Sequence, residues 1–224
     1  TGFLAGASVT LDGDACTLVN VASATTITCQ TPAHVAGIVD LVVTNTDSQA
    51  STLSNSYTYQ AAPTLASIAP TAGALAGGTV VTLTGTNFRS GATVTVGGNS
   101  CSSLTVDSAT QITCTTAAHA AGLTNIVITN PDTQSATLMN GYTFQAAPTV
   151  ASVTPTAGDI AGGTAITITG TGFVSGLSVD MAGSSCTVSS ITSTQIFCTT
   201  TAHAAGTVSI QVTNADTQSG SLAA

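Results

Sequence analysis

One register constrains this chain more than any other property: its residues recur with a period of 85. Shifted by that period, YTYQAAPTLASIAPTAG from Tyr57 falls on YTFQAAPTVASVTPTAG from Tyr142. AGGTVVTLTGTNF from Ala76 falls in the same way on AGGTAITITGTGF from Ala161. The opening TGF of residues 1–3 is the end of that segment in an earlier copy. The cysteines follow the register, Cys16, Cys101 and Cys186 in one series and Cys29, Cys114 and Cys198 in the other, with the last copy one residue shorter between its cysteines. Recurrence at this spacing marks a tandem array of like units. With boundaries at the Ala-Ala-Pro junctions, the units are residues 1–62, 63–147 and 148–224. The first is expected to lack its opening strands and the last its closing GYTFQ strand. The reading therefore expects a window on a longer array, or a chain cut out of phase with its domains.

Within a unit the pattern is that of an all-β fold. Val81 and Leu83 alternate with Thr82 and Thr84, as Ile166 and Ile168 do with Thr167 and Thr169. Val94 and Val96, Ile112 and Cys114, and Ile126 and Ile128 give further period-two stretches. Short alternating runs bounded by Gly, Pro, Asn and Asp read as half-buried antiparallel strands. No helical stripe of useful length occurs, although the Ala-rich piece AAHAAG has the composition for one helical turn. About seven strands per unit predict a two-sheet sandwich, because a single sheet cannot cover its own apolar face. The link Gln-Ala-Ala-Pro, at 60–63 and 145–148, is too short for a tether and is stiffened by its proline. A semi-rigid rod is expected.

Charge excludes several functions at once. Only ten of the 224 residues are charged, Arg89 and nine aspartates, giving a net charge of -8 with no Lys and no Glu. Ordinary domains carry roughly 25% charged residues. Here 45 threonines and 24 serines take much of that place. One cation cannot make the basic footprint that phosphate backbones require, which excludes nucleic acid as a partner. A polybasic membrane patch is excluded for the same reason, and no apolar run reaches the roughly 20 residues that span a bilayer. Disorder is excluded too, since it pairs low hydrophobicity with high charge and this chain reverses both. Six cysteines in such a chain point to an oxidising compartment, extracellular or at the cell surface, if they pair.

The residues resemble a known family. PTLASIAPTAGALAGGTVVTLTGTNFRSGATVTVGGNSC, TQITC and NIVITNPDTQSATLMNGYTF look like the IPT/TIG domain, the immunoglobulin-like module of plexins, some transcription factors and many bacterial surface proteins. The resemblance rests on Pro70, Gly73, Gly77, Gly78 and Thr79, on the turn of Gly85, Asn87 and Phe88, on the cysteine pair, and on Tyr142 and Phe144. It implies tandem early-set immunoglobulin-like β-sandwiches, but no single function, since one fold hosts many. The DNA contacts of some members do not carry over: the one basic residue, Arg89, has Val174 as its counterpart.

Candidate sites read mostly as structure. For the cysteines, one disulfide inside each unit is expected, Cys16–Cys29, Cys101–Cys114 and Cys186–Cys198. No C-x-x-C and no second ligand pair supports zinc or redox work. His34, His119 and His203 recur as A-H-x-A-G, which invites a metal or pH-switch reading. Within one chain they lie a domain apart, so a local hydrogen-bonding role in a loop is preferred. Asp47, Asp132 and Asp216 recur as N-x-D; a hard cation needs more converging oxygens than one Asn/Asp pair supplies. Asx-turn chemistry accounts for them, with an ion contact as the competing role. Asp12 and Asp14 flank Gly13 in the first unit only, a slight calcium signal. Asp107, Asp159 and Asp180 are each unique to one unit, so no carboxylate pair for glycoside hydrolysis recurs. No catalytic, cofactor or metal site is assigned, and the chain is read as a non-enzyme.

Repetition joined to charge depletion gives the functional expectation. Sheets ordinarily guard exposed edges with Lys, Pro, bulges or inward charges, and this chain has almost no charge for that purpose. Outward threonines make a flat, hydroxyl-lined face that can pack on a neighbour. The main expectation is a structural subunit of an extracellular bacterial filament, fibre or surface layer, whose partners are copies of itself. A strand missing at one terminus invites completion by a neighbouring chain. The alternative is the passive stalk of a large adhesin or glycan-binding surface protein whose binding domain lies outside this chain, with surface glycans as its partners. An accessory domain of a secreted glycoside hydrolase is a third reading. No N-x-S/T sequon occurs, and O-glycosylation of the Thr/Ser surface stays open.

Overall fold

Alternation of threonine with Val, Ile and Leu gives each strand one face that can leave water and one that keeps its hydroxyls in it. The computed structural model describes all 224 residues and is all-β, with no helix. It divides into two bodies, Thr1–Ala62 and Pro63–Ala224. The Ala-rich segments expected to turn once as helix are irregular instead, 117–121 included.

The smaller body contains β1 (Ser8–Leu11), β2 (Asp14–Ala15), β3 (Thr17–Ser23), β4 (Thr26–Gln30), β5 (Gly37–Thr44) and β6 (Ala50–Tyr59). One antiparallel sheet has the order β2-β1-β5-β6, and β3 and β4 form a separate two-stranded hairpin. Val9, Leu11, Cys16 and Val39 form its buried core, with Val19, Ile27 and Cys29 packed against them. The body is a partial sandwich, so β6 is exposed along nearly all its length.

The larger body holds two repeats. The first has β7 (Thr64–Ala69), β8 (Ala72–Ala74), β9 (Val80–Thr86), β10 (Thr93–Val96), β11 (Asn99–Ser100), β12 (Ser102–Ser108), β13 (Gln111–Thr115), β14 (Gly122–Thr129) and β15 (Ser135–Gln145). Its sheets run β11-β10-β14-β15-β8 and β12-β13-β9-β7. Every pairing is antiparallel except that of β15 with β8, where Thr143, Phe144 and Gln145 run beside Ala72, Gly73 and Ala74. Val81, Leu83, Ile112, Ile126, Ile128, Tyr142 and Phe144 fill the space between the sheets with essentially no exposure. These are the alternating positions of the sequence.

The second of the two has β16 (Thr149–Thr154), β17 (Ala165–Thr171), β18 (Ser178–Met181), β19 (Ser184–Ser185), β20 (Thr187–Ile191), β21 (Gln195–Thr199), β22 (Ile210–Thr213) and β23 (Ser219–Leu222). They form sheets β16-β17-β21-β20 and β19-β18-β22-β23. Two differences from its neighbour occur together. β22 starts at Ile210, whereas β14 starts at Gly122, the counterpart of Gly206. Ala157–Asp159, the counterpart of β8, form no strand.

Candidate functional site

The cysteines occupy facing positions in each unit, but they bond in only two. Cys101–Cys114 and Cys186–Cys198 are disulfides, with Cα atoms 5.8 and 5.7 Å apart. Cys16 and Cys29 are free thiols, so the bridge expected there is absent from this structure. The strand pairing differs between the units. Cys114 sits on β13, which pairs with β9 with Cys114 opposite Val81. β4 is paired with β3 alone. The two thiols still touch through a hydrogen bond. Burial, that bond and the charge Cys29 would carry push the Cys16 thiol from 9.0 up to about 11.

The N-x-D residues separate into two roles. Each aspartate closes an Asx turn. Asp47, Asp132 and Asp216 accept the backbone N–H of Gln49, Gln134 and Gln218 at 3.1, 3.1 and 3.2 Å. Each glutamine side chain also donates to the same carboxylate. The asparagine two residues earlier reaches about forty residues back. Asn130 Oδ1 accepts from Arg89 N at 3.3 Å and its Nδ2 donates to Asn87 O at 2.8 Å. Asn214 holds Val174 N and Gly172 O in the same way, and Asn45 holds Leu4 N and Gly2 O. This clamp ties the turn after the G-T-x-F segment to the far end of the facing strand. Its recurrence in all three units was visible in the sequence, but its partners were not.

The histidines anchor the closing strand. In each, Nδ1 lies 2.7–2.8 Å from the carbonyl of the next residue, Val35, Ala120 or Ala204. A carbonyl only accepts, so Nδ1 carries the proton. His34 stacks on Tyr59 with ring centroids 4.8 Å apart, and His119 on Phe144 at 4.9 Å. His203 has no aromatic partner in the third unit. His34 Nε2 also lies 3.3 Å from Asp12, a contact that Gly97 cannot make in the next unit. No three His, Cys or Asp side chains converge on one point. Asp107 accepts from Thr113 Oγ1, while Asp159 and Asp180 cap the N–H groups of Ala161 and Gly183. Arg89 is half-buried, with its Nε shielded from water and unpartnered, and it forms no basic patch.

Two further features lie in the larger body. One is the joint inside the larger body. Gln145, the last residue of β15, donates to Asp216 Oδ2 at 2.6 Å, and Gln218 donates back to the Gln145 carbonyl at 3.1 Å. Gly220 lies so close under the Pro148 carbonyl that a side chain there would collide with it. The other is an apolar groove of about 640 Å³ between the sheets of the third unit, lined by Ile166, Met181, His203, Ile210 and Leu222 among others.

A family model described as "IPT/TIG domain" matches residues 1–60, 63–146 and 148–224. Fibrocystin-L of Mus musculus is 36% identical over 148 residues, which is 64% of this chain and 3% of that protein. Fibrocystin-L of Homo sapiens is 32% identical over 155 residues, 67% of this chain and 4% of that protein. The chain thus spans a few per cent of the length of the curated relatives it matches. Both are mammalian proteins, so they give no support to the bacterial source expected from the sequence. Among solved structures, the Plexin A4 extracellular region aligns with 96% of this chain and 29% of its own, at 20% identity and a TM-score of 0.45.

Proposed function

The chain belongs to the IPT/TIG domain family along three consecutive stretches, and on that premise we propose that it is a non-catalytic structural subunit. Its repeats join copies of the same chain into an extracellular filament, fibre or surface layer. The observation that carries this reading is the use made of charge. Five of the nine aspartates, Asp47, Asp132, Asp159, Asp180 and Asp216, accept backbone N–H groups within turns, and Asp40 accepts that of Asn55 across the β5–β6 bulge. The single cation is half-buried. Charge therefore serves mostly local folding, and the exposed strand faces carry mainly Thr, Ser, Ala and Gly, with Leu53, Val80, Leu123, Met139 and Phe197 also exposed. Such faces offer little of the repulsion that keeps sheets apart. The two disulfides support an oxidising compartment outside the cell. A joint between consecutive repeats that is itself hydrogen-bonded supports a stiff array over a loose string of domains.

Electron microscopy of the purified recombinant chain tests the proposal. Ordered polymers are expected as its concentration is raised. Chains that stay single at every concentration overturn it in favour of the stalk of a larger adhesin or glycan-binding protein.

A further inference from the structure

Asparagine carries much of the turn chemistry of this chain, and one asparagine stands outside it. Asn45, Asn99, Asn125, Asn130 and Asn214 all commit their side-chain amides to hydrogen bonds. Asn140 does not. It lies exposed at φ +52 in the bulge of β15, where Thr124 pairs with Tyr142 and Ile126 with Leu138 and the register shifts between them. Its backbone N–H donates to Asn125 Oδ1 at 2.8 Å, but its own carboxamide has no partner. Asn140 is also the one asparagine followed by glycine. Gly141 has no Cβ to shield its amide nitrogen, or to restrict the rotation that carries that nitrogen towards the Asn140 side chain.

We infer that Asn140–Gly141 is a self-modifying site, which cyclises to a succinimide and then opens to aspartate or isoaspartate. The Gly141 nitrogen attacks Asn140 Cγ, and a new C–N bond closes the ring. The Cγ–Nδ2 bond breaks, and ammonia leaves with the proton from Gly141. Water then opens the ring at either carbonyl. One opening leaves an ordinary aspartate, a residue that tolerates the left-handed backbone of this position. The other routes the main chain through the side-chain carboxyl and lengthens it by a methylene. That extra length falls directly ahead of Tyr142 and Phe144, which are 0% and 1% exposed and fill the space between the sheets. A core packed this closely cannot absorb it without shifting them. The site therefore acts as a clock on the second repeat, whether or not copies of the chain assemble.

The chain supplies its own comparison. Asn55 occupies the matching bulge of β6, exposed at φ +51 with its N–H on Asp40 Oδ1 at 2.7 Å, but Ser56 follows it. The intact chain, incubated in mildly alkaline buffer, digested and followed by mass spectrometry, tests the site. The peptide spanning Asn140 should gain one mass unit and resolve into aspartyl and isoaspartyl forms while the peptide spanning Asn55 is still unchanged. Hydrogen exchange should then rise along β14 and β15 of the aged chain. Asn140→Gln, whose longer side chain cyclises far more slowly, should prevent both changes. If Asn140 persists in the folded chain but converts in denaturant, the fold protects the site and the proposal is overturned. Equal conversion at Asn55 overturns it as well, because the glycine would then have no part.

Discussion

Asn130 is 2% exposed, and both ends of its amide are committed to the turn at residues 87–89. Truncating it strands a buried carbonyl and a buried N–H, which costs about 1–3 kcal/mol per unsatisfied group. Asn130→Ala is therefore expected to lower the stability of its unit by about that amount, read from chemical denaturation. A loss within error would show that water replaces the clamp. Asp132, two residues away, was legible as an Asx turn because its partner is local in sequence. The asparagine's partners lie about forty residues off, and nothing in a single sequence links them. Cys16, which the register pairs with Cys29, is a free thiol in this structure. Its raised pKa carries a sign. The folded state favours the neutral thiol, so this contribution is fully present below pH 9.0 and is lost as pH rises towards about 11. The stability of residues 1–62 should fall across that window, and Cys16→Ala should lessen the dependence, leaving the part that the raised Tyr59 phenol contributes. Unfolding monitored against pH on both proteins checks it.

Most of the strands were legible, because period-two alternation of Thr with Val, Ile or Leu is a local property. β8 was not, since three residues of Ala and Gly carry no alternation and depend on the parallel partner β15 for their shape. Bulges were equally hidden. The shift between Leu65 and Ser67 lets β7 pass over Gly85, where a side chain would drive into the Thr64 carbonyl and the Phe88 ring. The same arrangement recurs at Gly170 with Thr149 and Phe173. Neither glycine has an unusual φ, so the requirement is space and not conformational freedom. Gly85→Ala must separate β7 from β9 or tilt the phenylalanine, an overpacking expected to cost about 1–3 kcal/mol. Hydrogen exchange should rise along β7 first. Unchanged protection there would mean that the strand can shift without loss.

At the scale of the larger body, the joint decides how one repeat is held against the next. The linker Gln-Ala-Ala-Pro predicted stiffness from its shortness and its proline. Within the larger body the stiffness has a further source, because Gln145, Asp216 and Gln218 bond across the linker and Gly220 admits the Pro148 carbonyl. Asp216 thus combines a turn cap with a contact to the preceding repeat. The sequence could suggest only the first, since the second joins residues 71 apart. Replacing Gln145 by alanine removes the donor to Asp216 but keeps the backbone carbonyl that Gln218 uses. The core residues of both repeats lie elsewhere, so Gln145→Ala should leave each sandwich folded. It should speed amide exchange at residues 145–149 and 216–220 while β13 and β21 exchange at their original rates. If β13 and β21 exchange faster to the same degree, the joint is part of the folding core and not a coupling between finished domains. If no segment changes, the packing of Gly220 against Pro148 fixes the joint without the side-chain bond.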